Sequence, residues 1–356
     1  MALSIILNCL KGKYSSAQII NLIKYLFGKR KKIVSWKPIY ISIACSYRCN
    51  LQCDMCLTHS KKHDNLYGQK PCRDMDFETY KQVLNKYNKA LVVNLIGCGE
   101  PLLNKDFFQM VEYASKAMRM YVVAGTNGTL VGKYKQKIVI SSLDKLMISI
   151  NSHNTEDFIR LTGMSADNFG LIKNNTMELV KLRDAAANRK LKIWLSFILD
   201  NKNYLYLTEM INLAHRLGVD AALFLPFIPS PKDGFRAEER CLFSDDPNVL
   251  KKFNQVKAAQ AGSKIKIILP RLLDREMLKQ PHKFRYCKVP FYVLTVDGEG
   301  NIGGCSCQLL DNSRNGKFYE NDAWNNAYFQ QLRSKFIDSN PALLEPCAWC
   351  YYNLPR

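Results

Sequence analysis

The sequence predicts an α/β protein, with a parallel sheet that is open or rolled into a partial barrel, followed by a small α+β unit. Between residues 38 and 230, six short β-rich segments alternate with helical ones, a pattern typical of parallel strands joined by crossover helices. After residue 280 this pattern gives way to a predicted hairpin and a group of cysteines. With 356 residues, 47% of them hydrophobic, the chain can bury a large core.

The first 37 residues form a basic segment with eight Lys or Arg and no acidic residue. Ser15 and Gln18 have capping-box spacing, and apolar residues follow at helical intervals until Gly28. Two interpretations stay open: a helix that lies on an anionic membrane surface, or a helix packed on the catalytic domain with a solvated basic tail. No secretory signal is visible, so we expect a protein that is either cytoplasmic or peripheral at the inner face of a membrane.

The predicted core spans residues 38–230. Its strands are expected at Ile39–Ala44, Leu91–Ile96, Met120–Ala124, Lys145–Ile150, Lys192–Leu199 and Ala221–Leu225. Its helices are expected at Asp76–Lys89, Asn104–Met118, Phe169–Ala187 and Asn203–Leu217. Residues 231–280 are predicted to bridge to the last unit, residues 281–356, where Asp297-Gly298 marks a hairpin turn. In such sheets, ligands bind at the carboxyl ends of the strands.

Thirteen cysteines, most of them clustered and without a signal peptide, indicate metal-binding thiols rather than disulfides. Cys49, Cys53 and Cys56 follow the first predicted strand with C-x3-C-x2-C spacing. Three thiolates can hold a four-iron cluster and leave one iron open, whereas structural zinc is closed by four ligands. Half of a zinc ribbon remains the alternative. Cys45, at the strand end, is expected to be a core residue.

The cysteine spacing resembles that of the radical S-adenosylmethionine (SAM) superfamily, and three further segments agree with it in order. They are Gly97-Cys98-Gly99-Glu100-Pro101, similar to the family's Gly-Gly-Glu-Pro turn; Gly125-Thr126-Asn127-Gly128, similar to its Thr-Asn-Gly segment; and Ser149-Ile150-Asn151-Ser152, where the family commonly has Ser-Ile-Asp-Gly. Each match is also ordinary turn chemistry. Together they imply a partial (β/α)6 radical SAM barrel over roughly residues 38–230.

The resemblance implies a role for individual residues. The three cysteines would hold a [4Fe-4S] cluster whose open iron binds SAM, with Gly97, Gly99 and Glu100 near the SAM amino group. Arg160 is expected near the SAM carboxylate, and Asn127 near the cofactor. Asn151 departs from the family's Asp, which favours Ser149 for the ribose. Reductive cleavage of SAM would then give a 5′-deoxyadenosyl radical that abstracts hydrogen from a substrate carbon.

The second cysteine group resembles an abbreviated SPASM, or twitch, domain with one auxiliary [4Fe-4S] cluster. Its expected ligands are Cys287, Cys305, Cys347 and Cys350, and four thiolates would suit a zinc ribbon equally well. Cys241, Cys307 and Cys98 are left over. Cys241 and Cys307 are candidate catalytic hydrogen donors, although a spare cysteine is more often a small buried side chain.

The predicted function is dehydrogenation, epimerisation or bond formation on a sugar, aminocyclitol or lipid-linked metabolite. Peptide or RNA modification by a radical SAM enzyme is the alternative, and a non-catalytic zinc protein that binds nucleic acid is a further one. The formal charge of +20 indicates anionic partners without choosing among them. We expect an acidic flavodoxin- or ferredoxin-type reductant, and nucleic acid is not the favoured partner.

Overall fold

The computed structural model describes residues 12–56, 58–60, 73–188, 190–227, 240–279, 286–305, 315–337, 347 and 350. Within them, nine strands form one sheet in the order β7-β6-β5-β4-β3-β2-β1-β8-β9. The strands are β1 (Tyr40–Ile43), β2 (Val92–Leu95), β3 (Tyr121–Thr126), β4 (Lys145–Ser149), β5 (Lys192–Leu199), β6 (Ala221–Pro226), β7 (Lys266–Ile268), β8 (Val293–Val296) and β9 (Ile302–Gly303). Every pair is parallel except β8 and β9, which confirms the predicted fold class.

The described residues contain ten α-helices, most of which lie between consecutive strands. They are α1 (Ser16–Phe27), α2 (Phe77–Lys86), α3 (Phe107–Glu112), α4 (Val131–Ile140), α5 (Thr155–Thr162), α6 (Ala166–Ala185), α7 (Leu207–Arg216), α8 (Pro247–Ala259), α9 (Arg275–Lys279) and α10 (Ala327–Ser334). The six predicted strands lie within two residues of their observed limits. The sequence patterns predicted no helix at α4, α5, α8, α9 or α10. The N-cap of α4 is Leu130, which makes no side-chain capping hydrogen bond, so no start signal precedes that helix. None of the described helices is long and apolar enough to cross a bilayer.

The sheet buries its two faces unequally. On the face under the helices, Ile41, Ile43 and Ile148 are fully buried. Burial differs between strands on the opposite face: in β4 burial alternates from one residue to the next, whereas β2 and β8 are buried throughout. Because successive side chains of a strand point to opposite faces, the alternation in β4 places its buried residues on the face that packs against the helices.

Helix α1 packs across the amino ends of the strands. Its capping box forms as predicted, with Ser15 Oγ accepting from Gln18 N at 3.3 Å and Gln18 Oε1 accepting from Ser15 N at 2.8 Å. The buried Gln18 amide donates to the carbonyls of Ala90 and Met118, just before β2 and β3. Tyr14 packs with residues at the starts of the first strands. The helix is therefore part of the folded domain.

The C-terminal unit shares the central sheet with the core. Strand β8 pairs with β1 over four residues, and β9 completes the predicted hairpin. Residues of the predicted bridge form β7, on the opposite edge. Arg333, fully buried in α10, donates to the carbonyls of Pro290, Trp324 and Lys32. The predicted boundaries at residues 37, 230 and 280 thus separate stretches of sequence that share one sheet; as domain limits they stay predictions.

Candidate active site

The predicted site residues meet at the carboxyl ends of four adjacent strands. The cysteine loop follows β1, the Gly97–Pro101 turn follows β2, Asn127 follows β3, and Ser149 ends β4. These strands are neighbours in the sheet and all parallel. Their carboxyl ends therefore form one edge, as the sheet rule requires.

The cysteine loop brings three half-buried thiols together. Burial, with the nearby Cys56 and Cys49 contributing, raises the pKa of Cys53 to about 12. Burial likewise raises the pKa of Cys49, with Cys56 again contributing. Three thiolates this close repel one another, so they suit a cationic metal centre. A pocket of about 440 Å³, lined by Cys49, Asn50, Gln52, Asp54, Gly163 and Met164, opens beside the loop.

Cysteine thiolates are the ligands that hold iron–sulfur clusters, and the loop offers three of them. In the described part of the chain, no three His, Cys, Asp or Glu side chains are grouped tightly enough to hold a single metal ion. The loop itself is anchored on α5, because the Asp54 amide donates to the Thr162 carbonyl at 3.0 Å.

Asn127 connects the cysteine loop to the turn after β2. Its backbone N–H donates to Glu100 Oε2 at 2.7 Å, and its side-chain Nδ2 lies 3.8 Å from Cys49 Sγ. The same Nδ2 donates to Asn50 Oδ1 at 2.9 Å. A hydrogen bond to the Cys49 sulfur would tune a cluster bound there, so Asn127 is placed to act on the ligand as well as on the loop.

Glu100 is a buried carboxylate with partners from three positions. Besides Asn127, its Oε1 accepts from Thr126 Oγ1 at 2.8 Å and from Leu102 N at 3.1 Å. Burial raises its pKa, and these hydrogen bonds oppose the shift. A carboxylate has about four acceptor positions, so one is left for the SAM amino group. Binding of the SAM amino group by Glu100 stays a prediction. The structure does show that Glu100 joins the ends of β2 and β3.

The two predicted glycines allow the β2 turn to lie directly on the cysteine loop. A Cβ on Gly97 would stand 2.6 Å from Ala44 Cα, and one on Gly99 would stand 2.3 Å from the Arg48 carbonyl oxygen. Both neighbours are backbone, which cannot rotate away. Cys98, between the glycines, is half-buried against Ala44 and Tyr47. Glycine is therefore needed at both positions, because the backbone of the cysteine loop lies too close for a Cβ.

The end of β4 carries a strained residue. Asn151 is buried with φ of 61°, in the left-handed region that few residues other than glycine adopt. Ser149 Oγ lies 3.2 Å from Ser196 Oγ on β5. The preference for Ser149 over Asn151 as the ribose contact stays a prediction.

Arg160 is placed by two aspartates. Its Nε and Nη2 donate to Asp157 Oδ1 at 2.9 and 2.5 Å, and its Nη1 to Asp200 Oδ2 at 3.2 Å. Burial opposes the charge, yet these aspartates hold the pKa of Arg160 above its ordinary value. Three of its five N–H groups are used, so its predicted contact with the SAM carboxylate would need the other two.

Sequence reasoning missed Asp200, which is almost fully buried and also pairs with Arg240 at 3.3 Å. One signal could have found it: an acidic residue directly after the strand Lys192–Leu199 lies at the same carboxyl edge as the other motifs. Burial opposes ionisation, but the Asn203 backbone N–H, Arg160 and the Lys202 backbone N–H together hold the pKa of Asp200 below its ordinary value.

The Radical SAM superfamily model matches residues 43–183, the stretch that contains the cysteine loop and the segments after β2, β3 and β4. This stretch of the chain is therefore similar to the radical SAM superfamily. Curated relatives match about half of the chain. A cofactor-modifying protein for tungsten-containing aldehyde ferredoxin oxidoreductase from Pyrococcus furiosus is 27% identical over 53% of this chain and 52% of its own. Mycofactocin maturase MftC from Mycobacterium tuberculosis is 29% identical over 51% of this chain and 43% of its own length.

Solved structures share the fold over most of the chain. Streptococcus suis SuiB bound to the precursor peptide SuiA covers 89% of this chain and 70% of its own, with a TM-score of 0.65 at 14% identity. The match to native anSMEcpe with bound AdoMet covers 88% of this chain and 95% of that one, with a TM-score of 0.55 at 14% identity. The shared fold therefore continues past residue 183. The chain spans about half the length of the curated relatives it matches.

The family match over residues 43–183 supports a [4Fe-4S] cluster with SAM at the cysteine loop, and the prediction adds an auxiliary [4Fe-4S] cluster. The second group of cysteines offers ligands for the latter. Burial raises the pKa of Cys287 to about 11. Cys305 and Cys347 both lie close enough to Tyr328 to raise the pKa of its hydroxyl, after burial. Which thiols bind each cluster stays a prediction.

The spare cysteines differ in what the structure shows. Cys241 is buried, with Sγ 3.7 Å from the Phe227 carbonyl oxygen just beyond β6. It thus lies toward the carboxyl edge of the sheet, and its role as a hydrogen donor stays a prediction. Cys307 lies outside the described residues. Cys45 is a fully buried core residue, as expected.

Proposed function

We propose that this radical SAM enzyme modifies a peptide or protein substrate by removing a hydrogen atom from one of its carbons. The observation that carries the proposal is the fold shared over 89% of the chain with a structure bound to a precursor peptide. A maturase among the sequence relatives supports it. The sugar, aminocyclitol or lipid-linked substrate expected from the sequence has less support.

The position of α1 also argues against a lipid-linked substrate. The lipid-linked interpretation needs the membrane-facing segment and the site to lie together. Instead α1 packs at the amino ends of the strands, and the cysteine loop lies at their carboxyl ends. Strands β1–β4 contain four to six residues, so roughly 13–20 Å of sheet separates the two ends. A substrate from solution reaches the site more directly.

Different residues would bind the cluster and SAM at this site. Cys49, Cys53 and Cys56 would hold the cluster, and Glu100 and Arg160 would pair with the amino and carboxylate groups of SAM. When bound, the cluster and SAM supply the carbon-centred radical. The chain provides orientation and exclusion of water. Oxidoreductase or epimerase chemistry, and an acidic flavodoxin- or ferredoxin-type reductant that the +20 charge would attract, belong to the same proposal.

Iron analysis with electron paramagnetic resonance tests the cluster assignment. Anaerobically purified wild type should contain about eight irons, and SAM should change the spectrum of the reduced protein. Cys49→Ala/Cys53→Ala/Cys56→Ala should keep about four and lose the response to SAM. Cys98→Ala, a half-buried cysteine of the neighbouring turn, is the matched control and should behave as wild type. Zinc in place of iron would favour the non-catalytic zinc protein.

Formation of 5′-deoxyadenosine tests the substrate class. A cell extract that contains the substrate should stimulate 5′-deoxyadenosine formation above the rate with SAM and reductant alone. Protease treatment should abolish the stimulation if the substrate is a peptide. Stimulation that survives protease but not nuclease would point to RNA, and stimulation that survives both would restore the metabolite hypothesis.

A further inference from the structure

Helix α1 presents two different faces. Gln18 and Asn21 are buried against the sheet. On the other side, four large apolar side chains are exposed within eight residues: Ile20 by 52%, Ile23 by 49%, Leu26 by 62% and Phe27 by 84%. Positions 20, 23 and 27 are three and four residues apart and so share one helix face. Exposed apolar residues grouped in this way mark a contact surface, whereas scattered ones need no explanation.

Positively charged residues lie within this helix and directly after it. Lys24 lies within the helix, and the run Lys29-Arg30-Lys31-Lys32 follows it, exposed throughout. The first acidic residue of the whole sequence is Asp54. A second copy of this chain would bring the same lysines against each other, which is unfavourable. The combination of apolar residues with lysines instead complements an anionic surface that has an apolar interior.

We propose that the exposed face of α1 docks on an anionic lipid bilayer. An amphipathic helix with a basic rim lies in the interface plane, with its apolar residues below the headgroups and its lysines beside the lipid charges. Asn21 holds the helix in place: its Nδ2 donates to the Lys89 carbonyl at 3.1 Å, and its Oδ1 accepts from Lys37 N at 2.8 Å. Docking therefore requires no refolding, and it leaves the carboxyl edge of the sheet open to solution.

Vesicle co-sedimentation of the holoenzyme tests the proposal. The probes are vesicles of phosphatidylcholine alone and of phosphatidylcholine with phosphatidylglycerol in about a 2:1 ratio. Wild type should sediment only with the anionic vesicles. Ile20→Gln/Ile23→Gln/Phe27→Gln should abolish binding, and Lys24→Gln/Lys29→Gln/Lys31→Gln should weaken it about 100-fold, from roughly fivefold for each lysine.

Matched variants separate this face from general surface chemistry. Ile140→Gln/Leu171→Gln/Leu205→Gln changes three exposed apolar residues elsewhere, and Lys251→Gln/Lys257→Gln/Lys264→Gln changes three exposed lysines elsewhere. Both should bind anionic vesicles as wild type does. All variants should keep wild-type iron content and SAM cleavage, which shows that they are folded.

Three results would overturn the proposal. Wild type could remain in the supernatant with anionic vesicles at low salt, or the α1 apolar variant could bind as tightly as wild type. The third is a concentration-dependent dimer in analytical ultracentrifugation that the α1 apolar variant abolishes while vesicle binding is absent. That result would assign the face to a second copy of the chain.

Discussion

At the scale of single residues, the turn after β2 is held against the cysteine loop by backbone contacts. The Gly99 amide donates to the Ser46 carbonyl at 2.9 Å, and the Glu100 amide to the Arg48 carbonyl at 2.8 Å. These bonds require the two chain segments to approach more closely than a Cβ allows. Gly99 therefore contributes to the cluster site through the absence of a side chain.

We expect Gly99→Ala to lower both the iron content and the denaturant midpoint, because the added Cβ would push the cysteine loop away from β2. Gly170→Ala is the matched control: it lies inside α6 and a Cβ there meets nothing within 4 Å. Since alanine is the better helix former by about 1 kcal/mol, this control should be slightly more stable than wild type. Full iron content and an unchanged midpoint in Gly99→Ala would contradict the explanation.

At the scale of elements, α10 and the segment before β1 are joined by polar contacts between buried groups. Arg333 stacks on Trp324, with the guanidinium carbon 4.4 Å from the ring centroid, while donating to three carbonyls. The Trp324 indole donates to the Trp36 carbonyl at 3.0 Å, and the Trp36 indole to the Phe291 carbonyl at 2.7 Å. The N-terminal and C-terminal segments thus form one structural unit.

Arg333→Met should destabilise the protein by about 3 kcal/mol or more, because three buried carbonyls lose a charged donor. Urea denaturation followed by circular dichroism measures the loss. Gln331→Met, on the exposed side of the same helix, should change stability by less than about 0.5 kcal/mol. Equal midpoints for the two variants would show that Arg333 does not join these segments.

At the scale of the whole molecule, the sheet is continuous through both the core and the C-terminal unit. Strand β1 has β2 on one side and β8 on the other. Removing the last unit would expose the β1 edge as well as the Trp36 indole. The C-terminal unit therefore does more than provide cysteines: it completes the sheet that carries the cluster loop.

We accordingly expect a chain that ends at residue 279 to be insoluble, or to lack a cooperative thermal transition, while the full chain melts cooperatively. Circular dichroism and size-exclusion chromatography provide the measurement. A monodisperse, cooperatively folding fragment would show that the core is independent of β8 and would support the predicted boundary at residue 280.

How well each part of the fold could be predicted depends on how far apart in the sequence the contacting residues lie. The six core strands were predictable because a β-rich segment between helices is a local pattern. The capping box of α1 was predictable for the same reason, since Ser15 and Gln18 are three residues apart. The place of β8 beside β1 was not, because about 250 residues of sequence lie between their paired residues.

The sequence by itself determined the parallel sheet, the cysteine spacing and the order of the motifs, because each depends on residues close together in the chain. Only the tertiary structure decided which face of α1 is buried, that Asp200 holds Arg160, and that Glu100 joins the ends of β2 and β3. These contacts join residues that are about 25 to 100 positions apart. Such partners are chosen by packing, which local sequence patterns do not encode.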